Sequence, residues 1–156
     1  MKLSELIHPN RILLDVETGD VCGCANQLAD LLAEGGELDD GTCHALRGAI
    51  QSREELGATT IGKGVSVPHA YLPGIPELMV CFARLKSPLA VATADGVPVD
   101  LVFMLTGPES SEEGHLKVLA RIVRLLHDET LLGELREAGS KELVYQALQA
   151  VEARHA

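Results

Sequence analysis

Residues 99–105, Val-Asp-Leu-Val-Phe-Met-Leu, form a nearly unbroken apolar run in this 156-residue chain. A strand with one wet face alternates apolar and polar residues, so a continuous run reads as a strand buried on both faces. Such a strand needs a covering layer above and another below. That requirement limits the fold more than any other feature of the sequence.

Candidate covering layers lie on both sides of the run. Asp20 is placed to cap a helix reaching about Glu34, with Ala25, Leu28, Leu31 and Leu32 on one face and Gly35-Gly36 as its stop. Asp39 or Asp40 begins a second helix, in which Cys43, Leu46 and Ile50 recur at helical spacing, ending near Ser52 to Leu56. Beyond the run, Ser110 followed by Glu113 matches a capping box. It opens a helix striped by Leu116, Leu119, Ala120, Val123 and Leu126 that ends near His127. Asp128 and Ser140 then cap two helices reaching about Ala138 and Ala153.

Further strands are expected at Ile12 to Val16, Val65 to Val67 and Leu78 to Leu85, and a short helix at Ser4 to Ile7. Pro73-Gly74, Ser87-Pro88 and Asp95-Gly96 are turn signals, and the last can close a hairpin into the apolar run. No linker, low-complexity tract or repeat interrupts the chain. The sequence therefore predicts an α/β fold, a single domain over residues 1–156, with a mixed β-sheet flanked by helices on both faces. With no Trp, two Tyr and two Phe, its core must be built from Leu, Val, Ile and Ala.

Charge narrows the function. The net charge is −10, which repels phosphate backbones and anionic lipid, and the few aromatics offer no platform for stacked bases. No nucleic-acid partner is expected. No run of 18 apolar residues is present and the N-terminus lacks a signal-peptide pattern, so no membrane insertion and a cytoplasmic location are expected. Cys22, Cys24, Cys43 and His44 offer a conceivable zinc set, but a Cys-x-Cys pair is tighter than ordinary ligand spacing. Reduced core cysteines are the better reading, with no metal and no cofactor. Walker, nucleophile-elbow and His-Glu-x-x-His patterns do not occur.

The densest chemical signal runs from Arg53-Glu54 through Thr59-Thr60-Ile61-Gly62-Lys63-Gly64 to Pro68-His69. Pro68 fixes its own φ and has no N–H, which holds the His69 imidazole at a strand end, and a free histidine is in large part neutral and nucleophilic at cytoplasmic pH. The glycines allow tight turns and a close ligand approach. His115 falls in the first turn of the capped helix, where free N–H groups and the helix dipole suit an anion. Arg53 offers a forked cation suited to a phosphoryl group. Each of these three has an ordinary structural alternative. His8, His44, His127 and His155 read as structural or surface residues.

Taken in order, Arg53-Glu54, Thr-x-Ile-Gly-x-Gly, Pro68-His69, Asp95-Gly96-Val97-Pro98-Val99 and His115-Leu116 resemble the EIIA type-2 domain of the phosphoenolpyruvate-dependent phosphotransferase system. This is the fructose, mannitol and nitrogen-regulatory class. The intervals of 16 residues from Arg53 to His69 and 46 from His69 to His115 agree with that family, and the likeness extends over nearly the whole chain. The resemblance implies a phosphotransferase component in which His69 is phosphorylated by an HPr-type phosphodonor. The group would pass to a cysteine of an EIIB acceptor, or the phosphorylation state would control a regulated target protein. Arg53 would neutralise the phosphoryl oxygens, and His115 would hydrogen-bond them or orient His69. Thr60 and Ala70 stand where the family usually has Gly. A free-standing EIIA fits the nitrogen-type regulator better than the sugar-specific transport component. The alternative to both is a binding module that shares the fold and transfers nothing.

Overall fold

The computed structural model describes residues 2–155. Within them lie six strands: β1 (Ile12–Val16), β2 (Thr60–Gly62), β3 (Val65–Ser66), β4 (His69–Tyr71), β5 (Met79–Leu89) and β6 (Val99–Gly107). The helices are α1 (Leu3–Leu6), α2 (Val21–Glu34), α3 (Asp40–Glu55), α4 (Glu112–Leu125), α5 (Glu129–Glu137) and α6 (Lys141–Arg154). One mixed sheet runs in the order β1-β5-β6-β3-β2, with β4 also on β6, beyond β3. β5 and β6 are antiparallel, whereas β1 on β5 and both β3 and β4 on β6 are parallel.

The apolar run of residues 99–105 lies in the middle of this sheet as β6, covered on both sides. Side chains alternate across a strand, and from Leu101 onward the two faces of β6 separate. Leu101, Phe103 and Leu105 join Val80 and Phe82 of β5 in a core covered by α1, α4, α5 and α6. Val102 and Met104 join Met79, Cys81 and Ala83 in a second core under α2 and α3. Phe82 and Phe103 are register partners whose ring centroids are 5.0 Å apart. A mixed sheet flanked by helices on both faces is the architecture.

Most helix starts carry the expected cap. Asp20, Asp39, Asp128 and Ser140 accept backbone N–H bonds from Gly23, Thr42, Thr130 and Leu131, and Leu143 respectively. Asp128 also accepts from Arg154 and His155, and these bonds hold its carboxyl down at about 2. Its contribution to stability is therefore complete above the ordinary value of 3.8 and is lost as pH falls toward about 2. Asp128→Asn should flatten the acid limb of a pH–stability profile, measured by thermal melts, across that window.

Three local expectations change. The strand expected to stop at Leu85 continues to Leu89 through Ser87-Pro88. β1 pairing ends at Val16 opposite Leu85, and the register with β6 shifts between Arg84 and Leu89, so Pro88 occupies a position that needs no ladder donor. The capping box at Ser110 does not form, because Ser110 lies in a 3-10 turn, Glu109–Ser111, and Ser111 is the N-cap without a side-chain bond. α4 therefore buries Val118, Ile122 and Leu125, with Leu126 just past its end. Leu116 and Val123 are left 64% and 39% exposed.

One buried carboxylate holds the beginning of the fold against its end. Glu152 on α6, 2% exposed, accepts the amides of Leu3 (2.6 Å) and Ser4 (2.8 Å), while Arg121 of α4 lies 3.6 Å away. The Tyr145 hydroxyl donates to the Ser4 carbonyl at 2.9 Å, closing the same junction.

Candidate functional site

β4 lies along the C-terminal half of β6, with His69 in register with Leu105, Ala70 with Thr106 and Tyr71 with Gly107. The two-residue period of a strand puts His69 and Tyr71 on one face and Ala70 on the other. Tyr71 packs against the core beneath α4, and Ala70 packs against the core beneath α2 and α3. β6 then leads into α4 through Gly107 and the 3-10 turn. A Cβ at Gly107 would stand 3.0 Å from Ser111 Oγ and 3.1 Å from the backbone of Leu78, so the close turn needs glycine there. This turn sets the start of α4 over β4 and brings His115 to His69.

The two imidazole centroids are 4.7 Å apart. His69 Nδ1–H donates to the Val67 carbonyl at 3.0 Å, since a carbonyl can only accept. In the neutral ring that leaves the lone pair on Nε2. The Tyr71 hydroxyl is hydrogen-bonded to His115 Nδ1, and their rings meet edge-on with centroids 5.0 Å apart. Burial, and then the neighbouring His69, hold His115 below the ordinary histidine value. Burial pushes the Tyr71 phenol up. At neutral pH His115 is thus an uncharged imidazole and Tyr71 a protonated phenol, both beside the His69 ring.

Arg53 sits in the last turn of α3, where its guanidinium donates to the Gly57 carbonyl at 3.0 Å. Among the described residues it makes no hydrogen bond to either histidine. Its helix end is nevertheless tied to the segment that orients His69. The Thr59 hydroxyl donates to Glu54 (3.1 Å) and meets Ser66 Oγ (3.3 Å), and Val67 N–H donates to the Thr59 carbonyl (2.9 Å). The structure therefore brings His69 and His115 together and places Arg53 at the edge of the same framework.

The glycines make the tight turn expected from the sequence, and that turn also anchors the sheet edge. Gly62, Lys63 and Gly64 all have positive φ (87°, 58° and 81°) and turn β2 into β3. Gly64 packs against Arg136 and Asp100, and its carbonyl accepts from the amides of Asp100 and Leu101. Leu101 precedes Leu105, the register partner of His69, by four residues, or ~13 Å along a strand. Thr60 and Ala70 do not take a left-handed backbone, because Asp15 and Lys63 are the non-glycine residues with positive φ among those described. Side chains at 60 and 70 therefore bring no backbone strain.

Cys24, Cys43 and Cys81 are buried core residues, and burial raises the Cys24 and Cys81 thiols to about 12. His44, like His8, His127 and His155, is exposed. Among the described residues no three His, Cys, Asp or Glu side chains are grouped to hold a metal, and no helix is long and apolar enough to cross a membrane. The residue the sequence reading missed is Tyr71. Its signal was the i, i+2 spacing from His69, which places both on one face once the segment is a strand. The positive charge also gathers elsewhere than at Arg53. Residues 114–127 contain Lys117, Arg121 and Arg124 and no acid, beside the exposed Leu116.

Comparison with known proteins agrees with this geometry. The family described as "Phosphoenolpyruvate-dependent sugar phosphotransferase system, EIIA 2" matches residues 5–151. A "Nitrogen regulatory protein" of Bradyrhizobium diazoefficiens is 36% identical over 148 residues, 95% of each chain. The crystal structure of the nitrogen regulatory protein IIA-Ntr from Neisseria meningitidis superposes with a TM-score of 0.80 at 28% identity, covering 93% of this chain and 97% of that one. The mannitol enzyme IIA from Escherichia coli, solved in complex with phosphorylated enzyme IIB, shares the fold with a TM-score of 0.75 at 18% identity over 92% and 97% of the two chains.

Proposed function

Because the chain belongs to the EIIA type-2 family of the phosphoenolpyruvate-dependent sugar phosphotransferase system, we propose that it carries a phosphoryl group on His69 Nε2. The observation that supports this most is the bond from His69 Nδ1–H to the Val67 carbonyl, which leaves Nε2 as the free lone pair beside His115. An HPr-type phosphohistidine is the donor. The Nε2 lone pair forms the new P–N bond as the donor's P–N bond breaks, and the donor nitrogen leaves with the electron pair. His69 keeps its Nδ1 proton on Val67 throughout, so positioning and charge stabilisation do most of the work.

His115, whose ring centroid is 4.7 Å from that of His69, would meet the developing phosphoryl oxygens, and being uncharged it costs little to hold there before the anion arrives. Arg53 serves by leaving the Gly57 carbonyl for the phosphoryl group once that anion is present. The exposed Leu116, with Lys117 and Arg124 on the same helix, gives partner proteins an apolar and basic surface in an otherwise acidic molecule. The acceptor is an EIIB cysteine or a regulated target. The likeness to nitrogen regulatory proteins over almost the whole chain favours a cytoplasmic regulator that signals by its phosphorylation state. In enzymatic terms it is a transfer component with a covalent phosphohistidine intermediate, needing no cofactor.

Phosphopeptide mapping tests the site. Protein incubated with radiolabelled phosphoenolpyruvate, Enzyme I and HPr should carry an acid-labile, alkali-stable label on the peptide containing His69. A label confined to the peptide containing His115 would remove His69 from the nucleophile's role. No label under conditions that phosphorylate HPr would favour a binding module that transfers nothing.

A further inference from the structure

The hydrogen bond between the Tyr71 hydroxyl and His115 Nδ1 has only two forms, and they have opposite consequences at His69. If the phenol donates, Nδ1 is the accepting nitrogen and the neutral ring carries its proton on Nε2. If Nδ1–H donates, the phenol oxygen accepts and Nε2 presents a lone pair. The Nε2 edge is the ring edge not engaged by Tyr71, and the centroids of the two imidazoles are 4.7 Å apart. An N–H on that edge attracts a phosphoryl oxygen, and a lone pair repels it.

The geometry points to Tyr71 as a positioning residue that donates its hydroxyl proton to His115 Nδ1 and so fixes the Nε2–H tautomer. This rests on the reading of His69 as the phosphoryl carrier. Three observations support it. Tyr71 shares a face of β4 with His69, two residues along, so the strand that holds the nucleophile also sets the distance to the phenol. The Tyr71 ring is packed into the core beneath α4, which leaves its hydroxyl little freedom to turn elsewhere. Among the described residues, His115 Nδ1 is its hydrogen-bond partner. Burial also keeps the phenol protonated, and hence a donor, well beyond neutral pH. Tyr71 touches neither the nucleophilic atom nor the transferred group. It acts through His115.

The step it serves is balanced without Tyr71 gaining or losing a proton. The phosphoryl group leaves one nitrogen for His69 Nε2, His115 Nε2–H donates a hydrogen bond to it, and Tyr71 O–H stays bonded to Nδ1. Reversal toward an EIIB thiolate uses the same arrangement, with sulfur as nucleophile and His69 Nε2 as leaving atom.

Nitrogen-15 spectra of the histidine rings in the unphosphorylated wild-type protein test the assignment directly. His115 should show a protonated Nε2 and an unprotonated Nδ1 at neutral pH, and Tyr71→Phe should convert it to a mixture of tautomers with an unchanged fold by amide spectra. Phosphoryl uptake by Tyr71→Phe should slow roughly 10-fold, with the label still on His69. A wild-type His115 protonated on Nδ1, or an Nε2–H tautomer that persists fully in Tyr71→Phe, would overturn the proposal. A label mapped away from His69 would instead sink the carrier reading and leave the tautomer result intact, so the two failures are distinguishable.

Discussion

His69→Ala should take up no phosphoryl group from phosphoenolpyruvate, Enzyme I and HPr, whereas His115→Ala should still do so, but roughly 10²–10³-fold more slowly. The asymmetry follows from which nitrogen is free. His69 presents a lone pair on Nε2 because its Nδ1 proton is committed to Val67. His115 has its Nδ1 engaged by Tyr71, and on the reading above its Nε2 bears the proton. On the proposed reading, removing the first ring deletes the nucleophile. Removing the second deletes one donor to the phosphoryl oxygens, which is the scale of an oxyanion-hole loss. Autoradiography after gel electrophoresis reads the first result and a quench-flow time course the second. Equal loss in both variants would show that His115 shares the covalent role.

The second large effect concerns stability. Glu152→Ala should destabilise the fold by about 3 kcal/mol, since a buried amide, a partly buried one and a nearby guanidinium lose their common acceptor. Those groups are Leu3 N–H, Ser4 N–H and Arg121, and the carboxylate that serves them is 2% exposed. For a chain of this length the loss corresponds to roughly 6–12 °C in Tm, measured by calorimetry. Glu152→Gln keeps an acceptor oxygen for one amide but turns an NH₂ toward the other, so it should fall between. Chemical denaturation that gives the same midpoint for wild type and Glu152→Ala would mean that α1 adds nothing to the cooperative unit.

The parts of this molecule that the sequence revealed are those governed by local rules. The residue 99–105 run announced a doubly covered strand because burial on both faces leaves no polar position to alternate with. Asp20, Asp39, Asp128 and Ser140 were legible as caps because capping acts over two or three residues. α4 was placed correctly and rotated wrongly. Of the expected stripe, Leu119 and Leu126 pack on the core while Leu116 and Val123 are exposed, and Val118, Ile122 and Leu125 take the buried positions instead. Pro88 was read as a turn because proline usually interrupts pairing, but the pairing around it had already lapsed.

The site divides along the same line. His69 and His115 could be suspected from their own surroundings, and the family resemblance placed them in one mechanism. Their meeting depends on β4 lying beside β6 and on the turn that follows β6, which no local pattern encodes. Tyr71 was missed because its partner is 44 residues away, and Glu152 because its partners are 149 and 148 residues away. Arg53 shows the converse case. It was easy to nominate from its charge, yet its guanidinium rests on the Gly57 carbonyl, so the proposed part in transfer would require it to leave that bond.

The Glu152 junction also says something about connectivity. Because α6 grips the first turn of α1, the two ends of the described chain lie side by side, and the path of the backbone is nearly a closed ring. The arrangement of layers is then separable from the point at which the ring is cut. A short splice across the Glu152 junction, with a new opening at the exposed Pro73-Gly74 bend, would give a circular permutant that keeps the sheet order, both cores and the β4–β6 pairing that carries His69.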